Sequence, residues 1–313
     1  MRKRKITCAA ILTYIHTNKI YKIKDKLFKD WGIMEFIKIF EYAFMRNALI
    51  VGLLSSICCG IIGTYIVNKK MVFISSSISH ASYGGIGIGI YLIYFFNLPI
   101  KDPLFFGLIF SILSGVLILV LKDTLHVDGD LGIGIVMSMG MAIGIIFAFL
   151  TPGYQSDMST YLFGNILLSN TLNIILLLIL DIITITFFII FYKSIVYTSF
   201  DENFYKIHSV PVTFINYFMI ILISSVIIIN IKTIGIILII SILTIPQAIA
   251  ASLARKYSAI IILSIIFSFI GILSGLYFSY TLNIPSGPSI IVLLTILLAL
   301  VKVGGFVKGK FLN

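Results

Sequence analysis

The chain has 313 residues, of which 59% are hydrophobic and 11% charged, and its mean hydropathy is +1.12. Soluble domains hold roughly 45–50% apolar and about 25% charged residues, so this composition excludes a water-soluble globule and a disordered chain and makes hydrocarbon the main solvent. The formal charge of +11 does not mark a nucleic-acid surface: residues 1–33 hold nine basic residues against two acids, which leaves only +4 on the rest of the chain.

The first element in chain order is this basic arm, residues 1–33. Its apolar stretch, Ile6 to Ile15, is shorter than the roughly 20 residues needed to cross a bilayer and lacks a small-residue cleavage site. We read Met34 as the working start, with the arm either an upstream extension or a segment lying on anionic headgroups. Apolar runs bounded by charges, Pro or Asn then predict nine helices, at 44–67, 78–96, 103–121, 131–150, 171–192, 213–230, 233–253, 258–280 and 287–303. The expected fold is an all-α, polytopic membrane helix bundle of eight to nine spans, residues 34–313 forming one transmembrane domain. Of three cysteines, Cys8, Cys58 and Cys59, the last two lie in the first span and read as packing residues.

The second span opens on the most polar run of the interior, Ile74-Ser-Ser-Ser-Ile-Ser-His80-Ala-Ser-Tyr-Gly84-Gly85. Ser76, His80 and Gly84 fall at i, i+4 and i+8, on one helical face. Neutral imidazole is a common ligand for borderline divalent metals, which makes His80 a candidate transient ligand on a metal path; the other reading is a histidine hydrogen-bonded to a neighbouring helix. Gly84, Gly85, Gly132 and Gly134 suit close helix–helix approach, which small residues permit in membranes. The stretch 161–170 is too short to span and reads as a half-helix or re-entrant piece.

Asp181 lies deep in the fifth predicted span, where a lone acid is a functional candidate, although its Leu and Ile neighbours offer no partner. The connection Lys193–Val212 has the pattern of a short helix, with Asp201 and Glu202 at its N-terminus and Phe200, Phe204 and Ile207 on one apolar face. That pattern suits docking to a partner or lying on lipid. Pro246 interrupts the predicted helix 233–253 and frees a carbonyl one turn earlier, which leaves either a simple kink or a break that turns Gln247 into a polar path.

Loop charges set the direction. One set of alternating connections carries Lys69, Lys70, Lys122, Lys193, Lys206, Arg255, Lys256, Lys302, Lys308 and Lys310, the other only Lys101 and Lys232. Positive charge collects on the cytoplasmic side, which assigns the loop 193–212 and the C-terminus to the cytoplasm. With nine spans the basic arm falls outside, against the same bias, so either the arm doubles back or there are eight. No His-Glu-x-x-His run is present and no second mid-span acid stands ready to form a dyad with Asp181. Gly304 to Lys310 matches Gly-x-x-x-x-Gly-Lys but is followed by Phe311 and lacks the strand–helix setting of a phosphate loop. The chain reads as a transport subunit, not an enzyme.

Runs in order along the chain carry a family resemblance: Arg46-Asn-Ala-Leu-Ile-Val-Gly, Cys59-Gly-Ile-Ile-Gly, Met71 through His80 with Gly84-Gly85, Asp130-Leu-Gly-Ile-Gly-Ile, Leu162-Phe-Gly-Asn-Ile-Leu, Ser199-Phe-Asp-Glu, Thr233-Ile-Gly-Ile-Ile-Leu, Ile245-Pro-Gln-Ala-Ile-Ala and Leu282-Asn-Ile-Pro-Ser-Gly. This ordered set, from about 36 to 302, resembles the permease subunits of ABC importers for zinc, manganese and iron. The resemblance implies a homodimeric permease in the cell membrane, driven by a cytoplasmic ATPase pair that binds the ATP and fed by an extracytoplasmic metal-binding protein. It implies no tightly bound cofactor, only the transported ion, and makes Ser199 to Val212 the ATPase-docking segment. His80 matches the family histidine, while Ser76 stands where many members carry Asp, a poorer donor for a divalent cation. The expected cargo is zinc or manganese, then ferrous iron. Two other readings remain: a permease for a metal chelate or cobalamin-like cargo, and an ion-gradient-driven carrier, which calls for several buried acids.

Overall fold

A computed structural model describes residues 42–100, 102–123, 129–153, 160–200 and 212–311. The chain divides into a unit of residues 1–46 and a unit of residues 47–313. Of the first only residues 42–46 are described, so the basic arm and Met34 lie outside the described residues.

Among the described residues, ten α-helices and one 3-10 turn follow in order, besides a single helical turn at 160–163. They are α1 (Ala43–Asn68), α2 (Val72–Phe96), α3 (Leu104–Asp123), α4 (Gly129–Leu150), the 3-10 turn Ile166–Leu168, α5 (Thr171–Phe200), α6 (Val212–Ile234), α7 (Ile236–Ile242), α8 (Ile245–Leu253), α9 (Tyr257–Leu282) and α10 (Ser286–Phe311). Among the described residues, eight helical stretches are long and apolar enough to cross a membrane, α7 and α8 together counting as one. The ninth long helix, α2, has 25 residues, about 37 Å at 1.5 Å per residue and longer than a hydrocarbon core of about 30 Å. Serines dilute its apolar character, yet fourteen of its residues are buried. A helix enclosed by other helices meets protein where a peripheral one meets lipid, so it tolerates hydroxyls once they are bonded. Ser79 and Ser82 donate to the Ser75 and Ser79 carbonyls, and Ser77 donates across to the Ile133 carbonyl of α4 at 2.9 Å.

Backbone proximity locks α2 into place. A Cβ on Gly84 would stand 2.6 Å from the Gly140 carbonyl oxygen, and one on Gly140 2.5 Å from the Ala81 Cα. Gly85 faces α3, where Phe110 and the Phe106 carbonyl leave no room for a methyl group. Gly132 is buried, but Gly134 has no neighbour within 4 Å. The packing role expected of Gly134 is therefore corrected: Gly140 and Gly144, further along α4, make the close approach instead.

Three boundaries differ from the sequence reading. Helix α2 begins at Val72, not 78, because its serines are helical and covered. Helix α5 runs to Phe200, past Lys193, so residues 193–200 of the expected loop are helix, and 201–211 lie outside the described residues. Pro246 does not kink a continuous helix. The chain breaks at Leu243–Thr244 and restarts with Pro246 in the first turn of α8, where its missing N–H costs no intrahelical bond. A second break sits at Gly235 (φ 87°, ψ 161°), between α6 and α7.

That break is clamped by the short stretch before α5. Residues 160–163 make one helical turn that ends at Gly164 (φ 64°). Gly164 and Gly235 meet backbone to backbone: a Cβ on Gly235 would strike the Phe163 carbonyl, and one on Gly164 the backbone of Ile234 and Gly235. Positive φ and absent side chains are both required here.

Candidate functional site

Two polar regions lie inside the bundle. The first is the open face of α2. Most α2 serines are buried, but Ser76 and His80 are half-buried and share the stripe that continues from exposed Phe73. The Nδ1 atom of His80 is buried without a hydrogen-bond partner. A buried polar atom without a partner is uncommon and asks for a reason; an imidazole nitrogen with a free lone pair is also what a divalent cation needs. Among the described residues no three His, Cys, Asp or Glu side chains are gathered to hold a metal, so this face offers one good donor, not a closed cage.

The second region joins α1, α5, α6 and α8. Ser55 of α1 donates to Asn230 Oδ1 of α6 at 2.6 Å, and Asn230 Nδ2 donates to the Val226 carbonyl and stands 3.9 Å from the Cys58 sulfur. The Cys58 side chain lies beside the Asp181 carboxyl of α5. Asp181 is 4% exposed, and neither of its oxygens has a hydrogen-bond partner; Thr184 Oγ1, one turn on, has none either. On the other side of α1, Gln247 Nε2 donates to the Cys59 carbonyl at 2.9 Å while its Oε1 is unpartnered. Gln247 is 0% exposed and packs on Gly63, so in this conformation it faces protein.

The structure thus brings Asp181 to Cys58 and Gln247 to the Cys59 carbonyl, successive residues of α1. Phe200 is the exposed last residue of α5. Asp201, Glu202 and Phe204 lie outside the described residues. Sequence reasoning missed Asn230, Ser55 and the Gly164–Gly235 contact. An asparagine inside an otherwise apolar span was the available signal for the first, since such a group is costly unless paired.

Long apolar helices around a buried polar interior define a multi-pass membrane protein of the solute-moving kind, with no strand among the described residues. Residues 41–304 match the family described as the ABC 3 transport family, and the chain belongs to it. It is 32% identical over 260 residues to an uncharacterized membrane protein of Synechocystis sp., covering 83% of this chain and 90% of that one. It is 31% identical over 257 residues to the manganese transport system membrane protein MntC of Listeria monocytogenes, covering 82% and 89%. Among solved structures it resembles a chain of PsaBC from Streptococcus pneumoniae in complex with Fab. The TM-score is 0.75 at 28% identity, covering 86% of this chain and 95% of that one. The chain is the membrane permease component of an ABC transporter.

Proposed function

We propose that this permease admits a divalent transition-metal ion, manganese or zinc first and ferrous iron next, by ATP-driven import. The carrying observation is the near full-length match to a family in which a relative bears the name of a manganese transport membrane protein. His80 supports it: its half-buried imidazole sits on α2 and its Nδ1 has no hydrogen-bond partner, so the ring is not committed to a neighbouring helix through that atom. Ser76 beside it adds a neutral oxygen, so the ion is held weakly and released readily. Two copies form the path. An ATPase subunit binds the segment from Phe200 through Asp201, Glu202 and Phe204, and an extracytoplasmic protein delivers the ion. Because α5 runs unbroken from Thr171 to Phe200, a push on its end is transmitted along a rigid rod. ATP binding and hydrolysis in the partner then tilt this helix and alternate access to the α2 face.

In liposomes holding permease, ATPase and binding protein, manganese or zinc accumulates only with ATP. Gradient-driven uptake without ATP, or uptake only of a chelate, refutes this reading.

A further inference from the structure

A groove of about 710 Å³ opens between α8 and the later part of α10. Its walls are small. Ala248, Ala251 and Ser252 line the α8 side, Gly304 and Gly305 the α10 side, and a Cβ on either glycine would meet nothing within 4 Å. The three α8 residues fall at i, i+3 and i+4, so one side of that helix lacks bulk. A hollow of this size is in the range that holds a small ligand.

The groove lies at a membrane boundary. Lys302, which lines it, is the seventeenth residue of α10, about 24 Å along the axis from Ser286, near the far edge of a hydrocarbon layer of about 30 Å. Exposed Leu300 and Val303 flank that lysine, and Leu253 is exposed on α8, so the groove still stands at the level of acyl chains. Charge gathers at the same end. Arg255 and Lys256 follow the lining residue Leu253 by two and three positions, and both are exposed, as Lys302 is. Among the described residues none of these three cations forms an ion pair, and no Asp or Glu follows Glu202 in the sequence. A second copy of this chain would bring the same cations to the groove and no acid from this region, so charge opposes it as the occupant. An apolar hollow with unanswered cations at its mouth suits a molecule that is apolar at one end and negative at the other, as basic pockets between membrane helices suit anionic headgroups.

We propose that the α8–α10 groove binds one anionic phospholipid, an acyl chain lying along Ala248, Ala251 and Gly304 and the phosphate held by Lys302 with Arg255 and Lys256. The assignment of this end to the cytoplasm decides only which leaflet supplies the lipid, and the metal cargo plays no part. The purified full-length chain in detergent is titrated with phosphatidylglycerol or phosphatidylcholine of identical acyl chains, and bound lipid is counted by native mass spectrometry. One phosphatidylglycerol should bind in preference, and less tightly in high salt. Lys302→Gln should weaken it about fivefold, the equivalent of about 1 kcal/mol for a basic residue beside an anionic surface. Adding Arg255→Gln and Lys256→Gln should remove the preference. Gly304→Leu, whose side chain enters open space, should fill the groove and lower phosphatidylglycerol binding about tenfold. Gly134→Leu on α4, equally unobstructed, should leave it unchanged. Unchanged elution and unfolding of each variant exclude misfolding. Equal binding of the two lipids, or a preference that survives the triple charge variant, overturns the inference. A basic arm needs no groove to hold headgroups, so a preference that survives Gly304→Leu overturns it too. If Gly304→Leu alters dimerisation or recovery of the ATPase while lipid binding stays intact, the groove belongs to a protein partner and the lipid site is refuted. The titration contains neither ATPase nor metal, so its failure leaves the import reading standing and removes the lipid site alone.

Discussion

Replacing Gly235 by Ala tests whether the break between α6 and α7 is a rigid clamp. Its φ of 87° and ψ of 161° lie in a region open essentially to glycine, which costs another residue about 1–3 kcal/mol. The added Cβ would also stand 2.7 Å from the Phe163 carbonyl oxygen, whereas ordinary contact begins near 3.4 Å. The two backbones must therefore part by about 0.7 Å or more, and such overpacking costs about 1–3 kcal/mol. A combined loss of about 2–6 kcal/mol follows, the lower end applying if the 160–165 stretch yields. Reversible unfolding in mixed micelles measures it, with Gly134→Ala as a control because nothing lies within 4 Å of that glycine. Gly164→Ala should cost a similar amount. The double variant should cost less than the sum by more than about 0.5 kcal/mol, because one separation of the chains relieves both clashes. Gly235→Ala unfolding together with wild type and Gly134→Ala refutes the clamp.

Four shorter predictions follow. A Ser55→Ala and Asn230→Ala cycle should give a coupling of about 0.6 to 1.7 kcal/mol, the range of interhelical hydrogen bonds in membranes; zero coupling means the 2.6 Å bond contributes nothing. Lys232 and Asp102 pair at 2.6 Å with side chains 38% and 45% exposed, so Lys232→Met should cost under about 1 kcal/mol and less in high salt, and a larger loss shows the pair to be more than a surface contact. His80→Ala should lower metal uptake in liposomes while assembly with the ATPase stays intact, and full uptake removes His80 from the path. Asp201→Ala with Glu202→Ala should reduce co-purification of the ATPase, and undiminished recovery places the docking segment elsewhere.

Most of the helices were legible because hydrocarbon demands about twenty apolar residues at a time, and the chain supplies them between Lys, Pro and Asn. The places where reading failed share one cause. The second span was bounded at 78 because the polarity of Ser75 to Ser77 was weighed against lipid, but Ser75 and Ser77 are buried against protein. Lys193 looked like a boundary because a charge usually marks the membrane edge, yet a lysine can reach the interface along its own stem while the helix continues to Phe200. Pro246 drew attention away from Gly235, which makes the sharper break and is inconspicuous among 24 glycines. Asp181 looked partnerless because its neighbour, Cys58, lies 123 residues earlier, and no local period announces a contact between two helices so far apart. His80 stood out because an imidazole in an apolar span is costly unless it faces a bundle interior or a wet cavity; its half-buried position depends on how α2 packs, which spacing alone does not give.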